Sequence, residues 1–324
     1  MSLYPARWIK RFGHNAARRL PEVDQARLPS LFAPQIRTAE RSLRNALEPD
    51  DVRVCLCYGP YRNLTTLTAG LLGLHKEIAV LNHAALRIFP DASVNFLRDG
   101  SLQKRRRFVS YAVYLSERGR RGDLGGSIVH SHAFESAAFR DIYMERFPNG
   151  KTPQHVRAVF WKDPNRITNY AANYGIGLSA LLETDPNLCV LLPIRNPVHC
   201  ARSLQRTGHD RFLVKGKTPH FSAVLEAVVR SIAAFQDLAN TFPDRCFQFF
   251  EDEIDVNLLR RLETFLELSG DPEWAEVSEQ LGAVRSTAKV TPDEAEICRR
   301  LINRHLASAP AIESGIRRLL ERDC

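Results

Sequence analysis

Val52-Arg-Val-Cys-Leu-Cys-Tyr58, followed by Gly59-Pro-Tyr-Arg-Asn-Leu64 and Thr65-Thr-Leu67, is the stretch whose reading decides the fold. A short, mainly apolar run ending at Tyr58 reads as a buried strand, Gly59 to Leu64 turn away from it, and Thr65-Thr66 open a helix. That order gathers the free N–H groups of a helix start and the positive end of its dipole at one point, which suits an anion. Arg62 adds forked donors that match phosphate or sulfate oxygens, and Thr65 and Thr66 can add hydroxyl donors. An ordinary N-capped helix carries much the same signature, so the stretch alone leaves both readings open.

Outward from it, short apolar runs alternate with helical segments. Strands are expected over residues 52–58, 127–132, 156–161, 189–194 and 246–250, with helices over 66–74, 134–146, 168–183, 199–206, 222–240 and 258–268. This is the pattern of an α/β domain with a central, mostly parallel sheet covered by helices on both faces, a three-layer α/β/α arrangement. Ligands then bind at the carboxyl ends of the strands. Residues 1–50 read as an N-terminal arm packed on the main domain of residues 51–324, with an amphipathic helix over 38–47. The region after Asp271 reads as helical and charged, with Pro292 and Pro310 as punctuation.

The chain of 324 residues, 44% hydrophobic, can bury a substantial core. No stretch approaches the roughly 20 apolar residues of a membrane helix, and the first residues lack the apolar run of a secretory signal, so a cytoplasmic protein is expected. The seven cysteines are scattered without metal-ligand spacing, as reduced thiols would be. A formal charge of +8 favours anionic partners, and part of the excess is clustered at Lys104 to Arg107 and at Arg118, Arg120 and Arg121. Such runs are more often solvated faces than binding sites.

A second element begins at Cys189-Val-Leu-Leu-Pro-Ile194, again a buried strand, and ends in Arg195-Asn196-Pro197. Ser203 lies eight residues beyond Arg195, about two turns into the next helix, so a guanidinium and a hydroxyl can grip one phosphate. A helix cap with a surface arginine would look similar.

Together these residues resemble the sulfotransferase superfamily that uses 3′-phosphoadenosine-5′-phosphosulfate, PAPS, and has a P-loop fold. Its 5′-phosphosulfate loop is usually a Gly, then Arg-Ser-Gly-Thr-Thr opening a helix; Gly59 and Arg62-Asn63-Leu64-Thr65-Thr66 correspond. Its 3′-phosphate is held by an Arg in an Arg-Asp-Pro or Arg-Asn-Pro turn and a Ser eight residues later, which Arg195 and Ser203 match. Trp161-Lys162-Asp163-Pro164 is similar to a Lys-Asp-Pro segment of tyrosylprotein and some carbohydrate sulfotransferases. Leu64 departs from the family's Gly, and its Cβ opposes a left-handed backbone there.

The resemblance implies a donor-binding set of Arg62, Asn63, Leu64, Thr65, Thr66, Arg195 and Ser203. Sulfuryl transfer needs positioning, charge neutralisation and a base for the attacking hydroxyl. Arg62 and Lys162 are the candidates for neutralising the donor oxygens, so no metal is expected. An ungapped reading places Asn82-His83 where the tyrosylprotein branch has a Glu-Glu pair, making His83 the candidate base; a hydrogen-bonded loop histidine is the alternative. His130 and His132, on an expected strand, are candidate acceptor contacts, and as a metal pair they lack a third ligand. The acceptor class includes carbohydrates, glycolipids and small molecules, and a basic rim would suit an anionic saccharide or lipid-linked glycan. Peripheral membrane contact stays open, and nucleic acid is not expected. Two other readings remain: a noncatalytic nucleotide- or glycan-binding protein on this scaffold, and a P-loop small-molecule kinase, which the Leu64-Thr65 pair in place of Gly-Lys disfavours.

Overall fold

The computed structural model describes residues 32–119, 124–214, 219–283 and 288–324. Most of the arm, and Arg120 and Arg121 of the basic cluster, lie outside these residues. Six strands form one sheet: β1 (Arg53–Cys57), β2 (Ile78–Asn82), β3 (Gly126–Ser127), β4 (Ala158–Lys162), β5 (Leu188–Ile194) and β6 (Cys246–Phe250). Their order is β3-β2-β4-β1-β5-β6, and every pairing is parallel except β2 with β3.

Alternation along β1 separates the two faces of the sheet. Val54 and Leu56 pack into one core with Val159, Trp161, Val190 and Leu192. Cys55 and Cys57 pack into the other with Phe160, Cys189 and Leu191. Helices cover both sides, which is why these strands read as nearly unbroken apolar runs. The three layers expected from the sequence are present, and Cys55 and Cys57 are core thiols. Burial pushes the Cys57 thiol up to about 12.

The chain leaves β1 in one direction to β2 and, after β4, crosses in the other to β5. The reversal sits at β1, and at such a switch point ligands bind outside the carboxyl ends of the strands. The ends of β1, β2, β4 and β5 carry the loop, His83, Lys162 and Arg195 in turn.

Several expectations need correction. No long strand covers 127–132: β3 stops at Ser127, whose hydroxyl accepts from Val129 N–H, and a 3₁₀ turn follows over Ile128–His130. Strand β2 was hidden in a presumed loop because only a few residues separate it from the preceding helix, Thr65–Gly73. The helix expected over 168–183 is two, Pro164–Asn173 and Leu178–Thr184, parted by Gly175 at φ 62°. The arm's helix is Ala33–Leu43, whose Ile36, Ala39 and Leu43 join the main core. Pro292 and Pro310 open the helices Pro292–His305 and Pro310–Asp323, where a missing N–H costs nothing.

The basic cluster is also redrawn. Residues 104–107 belong to a long helix, Leu102–Arg118, with Phe108, Val109 and Tyr111 in the core. Arg105 is buried against Asp185 at 2.7 Å, Arg107 meets Glu40 at 3.1 Å, and Lys104 and Arg106 pair with Asp99 and Asp50. These charges are largely neutralised within the fold.

Candidate functional site

The turn after β1 is shaped by its backbone. Gly59 has φ 93°, and a Cβ there would lie 2.6 Å from Leu192 Cδ1. Arg62 and Leu64 are left-handed, at φ 67° and 59°, on either side of Asn63, which is not. Alternation of this kind turns successive N–H groups toward one concavity, an anion-binding nest. Leu64 thus adopts the conformation in which glycine is favoured, at a cost of roughly 1–2 kcal/mol. No side chain caps the helix that begins at Thr65, so its first-turn N–H groups face the carboxyl edge of the sheet. Thr65 is buried and Thr66 half-buried on that turn.

Asn63 ties this loop to β5. Its wholly buried amide donates to Pro193 O, and its Oδ1 accepts from Arg195 N–H at 2.8 Å. The side chain is therefore spent on the frame, and what it can offer a ligand is backbone N–H. Asn196, in turn, caps the helix Pro197–Thr207 by accepting from Val198 N–H at 3.0 Å, and Pro197 supplies the first helical residue. The Arg-Asn-Pro sequence has a local reason: Asn and Pro start the helix and leave Arg195 at the strand end.

The structure brings Arg62, Arg195 and Ser203 together. Arg62 Nε donates to Ser203 Oγ at 2.9 Å. Burial, then repulsion from Arg195 and Arg206, depresses the Arg62 guanidinium below its ordinary pKa. Arg195 Nε lies 3.6 Å from Glu251, a carboxylate that Arg322 already engages at 2.7 Å. Three guanidiniums thus converge with little counter-charge, beside a buried hydroxyl, which is a setting for a multiply charged oxyanion.

A second group occupies the ends of β2 and β4. Asn82 pairs with Lys162 across the strands, His83 N–H donates to Lys162 O at 2.8 Å, and Trp161 Nε1 donates to His83 O at 2.7 Å. His83 and Ala84 both have positive φ, 62° and 72°, a strained pair of non-glycine residues. Lys162 is buried, with Nζ 3.4 Å from His83 Nε2. On the other side of the ring, His83 Nδ1 lies 3.5 Å from Asp163 Oδ1. Tyr61 OH donates to the same carboxylate at 2.7 Å, and Ala85 N–H donates to it at 3.1 Å. Burial pushes Asp163 up, but His83, Arg166 and Tyr61 outweigh it and hold the acid at about 2. Burial lowers His83, reinforced by Lys162 and Arg166 and opposed by Asp163.

His130 and His132 do not join either group. Both are exposed, His132 faces Glu135 at 2.6 Å, and antiparallel β3 carries the chain away from the carboxyl edge. Their neighbours Ile128 and Ala133 abut Gly73 and Gly70, in the later part of the loop helix. The expectation that they border the site fails because it assumed a long parallel strand.

Two residues escaped the sequence reading. Asp163 stands in the quoted Lys-Asp-Pro segment, but nothing in that segment assigns it a role. His209, just past the helix end at Gly208, packs edge-on to Tyr61 at 5.4 Å. Burial lowers its pKa, and Arg62, Arg211, His83 and Lys162 lower it further, so it faces both groups. No motif marks it. Among the described residues, His199, Glu251 and Asp323 offer ligand atoms within 4.8 Å of one another. Arg322 contacts both carboxylates, at 2.7 and 2.8 Å, and already supplies the balancing cation.

No protein-family model matches the sequence, and no curated protein does. Solved structures do resemble the fold. The chain is similar to a sulfotransferase, STF9, from Mycobacterium avium, at 14% identity over 85% of this chain and 81% of that one, with a TM-score of 0.44. It is similar to the sulfotransferase domain of the Synechococcus PCC 7002 olefin synthase at 13% identity, 76% and 93% coverage and a TM-score of 0.36. A sulfotransferase domain from the curacin biosynthetic pathway gives 13% identity, 77% and 97% coverage and a TM-score of 0.39.

Proposed function

We propose that the protein is a PAPS-dependent sulfotransferase that transfers a sulfuryl group to a hydroxyl or amine of a carbohydrate, glycolipid or small-molecule acceptor. The observation that carries this reading is the convergence of Arg62, Ser203 and Arg195, stitched by Asn63 to a helix-start anion nest, with Lys162 and His83 on the same sheet edge. The site needs two anionic subsites and a base between charged groups, and these residues supply both.

Arg195 and Ser203 hold the nucleotide 3′-phosphate in this account. Arg62 contributes to the same cluster instead of standing alone at the sulfate, because its side chain rests on Ser203. The N–H groups of Asn63 to Thr66 and the Thr65 and Thr66 hydroxyls face the 5′-phosphosulfate. Lys162 neutralises the charge that builds on the leaving oxygen, and His83 accepts the acceptor's proton. Cationic side chains do this work with no metal assigned to it. In domain terms, residues 51–324 form the catalytic unit, with the helix Ala33–Leu43 packed on it, and a cytoplasmic setting supplies the nucleotide.

Adenosine 3′,5′-bisphosphate at millimolar concentration should raise the Tm of the wild type, and Arg195→Ala should sharply reduce the rise. No rise in the wild type contradicts the reading. Leu64 in the nest favours a second reading, a noncatalytic nucleotide-binding protein, since its Cβ narrows the approach to the N–H groups. That reading gains if the bisphosphate binds but no member of a sugar, lipid and phenol panel is sulfated.

A further inference from the structure

Asp163 occupies the N-cap position of the helix Pro164–Asn173, yet its side chain caps nothing there. An aspartate at an N-cap ordinarily accepts from the first-turn N–H groups. Here the wholly buried carboxylate turns instead to His83 Nδ1, Tyr61 OH and Ala85 N–H, with Arg166 at 3.8 Å. His83 itself is held in a left-handed backbone, its carbonyl pinned by Trp161 Nε1. A strained residue facing a diverted carboxylate indicates that the ring's orientation is built in.

We propose that Asp163 is a positioning residue: it fixes His83 with a proton on Nδ1 and keeps Nε2 unprotonated, its lone pair turned to Lys162 until the acceptor hydroxyl takes that place. The inference rests on the sulfuryl-transfer reading above. Two polarity arguments give the same tautomer. An ionised carboxylate only accepts, so Nδ1 must donate, and an ammonium only donates, so Nε2, 3.4 Å from Lys162 Nζ, must accept. The opposite tautomer would set a lone pair against the Asp163 carboxylate and an N–H against Lys162.

In the transfer step, the acceptor O–H proton passes to His83 Nε2 while the acceptor oxygen forms its bond to sulfur. The bond from sulfur to the 5′-phosphate oxygen breaks, and its electron pair leaves with the bisphosphate. His83 becomes an imidazolium balanced by Asp163, and the Nδ1 proton stays where it was. The charged and titratable groups facing the ring are Lys162 from β4, Asp163 and Arg166 at the following helix, Tyr61 from the loop, and His209 from the turn after Thr207.

The test is nitrogen-15 NMR of the ring nitrogens in the full chain at neutral pH, with the His83 signals assigned by their loss in His83→Gln. The expected result is a protonated Nδ1 and a bare Nε2 in the wild type. In Asp163→Asn, whose amide can donate to Nδ1, the expected result is loss of the Nδ1–H signal and gain of Nε2–H. A wild-type His83 carrying its proton on Nε2 overturns the proposal, and this needs no folded Asp163 variant. An unchanged tautomer in a folded Asp163→Asn also overturns it. The Tm rise with adenosine 3′,5′-bisphosphate, run on the same samples, judges the sulfuryl-transfer reading separately, because Arg195 and Ser203 are untouched.

Discussion

The two ends of the site arrange charge in opposite ways. At the β1–β5 end, Arg62, Arg195 and Arg206 crowd together, and Glu251 is already engaged by Arg322. At the β2–β4 end, Lys162 lies against His83, and His83 and Tyr61 face a buried carboxylate, Asp163. The first end carries surplus charge waiting for an anion, and the second holds its protonation states fixed. Affinity and chemistry should therefore separate under mutation.

The sharpest way to break that separation is at Lys162. Lys162→Met should lower turnover on any acceptor the panel identifies by roughly 100–1,000-fold, as loss of a charge-stabilising group does. The Tm rise with bisphosphate should survive; parallel loss of both would merge the two ends into one unit. Arg195→Ala should do the reverse, weakening bisphosphate about 10–100-fold by calorimetry, in line with the roughly 1.5–3 kcal/mol of a hydrogen bond to a charged group.

Asn63→Ala tests the joint between the loop and β5. It strands Pro193 O and Arg195 N–H, and a loss of roughly 1–3 kcal/mol should appear in the urea midpoint together with weaker bisphosphate binding.

The pH dependence sharpens the reacting end. Burial lowers the His83 pKa from 6.5, so the neutral base is present at neutral pH. Turnover should rise with pH through an apparent pKa below 6.5 and then level off. A rise centred above that value would remove His83 as the base. Asp163 titrates the other way round for stability. Its folded value of about 2 lies below the ordinary 3.8, so its contribution is present above 3.8 and is lost as pH falls from there toward 2. Acid unfolding in Asp163→Asn should lack that step.

The smallest effect is expected at Leu64→Gly, where relief of roughly 1–2 kcal/mol of left-handed strain is offset by about 0.5–1 kcal/mol of glycine entropy. The Tm should move little, while bisphosphate affinity should not fall.

The difference between the two ends also explains what the sequence could reveal. Arg195, Ser203 and the Gly59–Thr66 loop were legible because each lies within one strand-turn-helix unit, where spacing fixes geometry. Strands β1, β4, β5 and β6 were legible because two covered faces leave short apolar runs. The Asp163–His83–Tyr61 network was not legible, because it joins three chain segments and depends on β2, whose five residues follow closely on a helix. His130 and His132 misled for the same kind of reason. Two residues apart on a strand share a face, but the chain there forms 3₁₀ turns leading off an antiparallel edge. The partners of the cluster at Lys104 to Arg107 were not legible, because charge counting cannot see that Asp50, Asp99 and Asp185 pair with it.

We propose that Arg195, Ser203 and Arg62 recognise a nucleotide 3′-phosphate. The most direct test is calorimetric titration of the wild type and Arg195→Ala with adenosine 3′,5′-bisphosphate and with adenosine 5′-monophosphate, which lacks that phosphate. The wild type should bind the bisphosphate at least about tenfold tighter, and Arg195→Ala should erase the difference. Equal affinity for the two nucleotides in the wild type would contradict it.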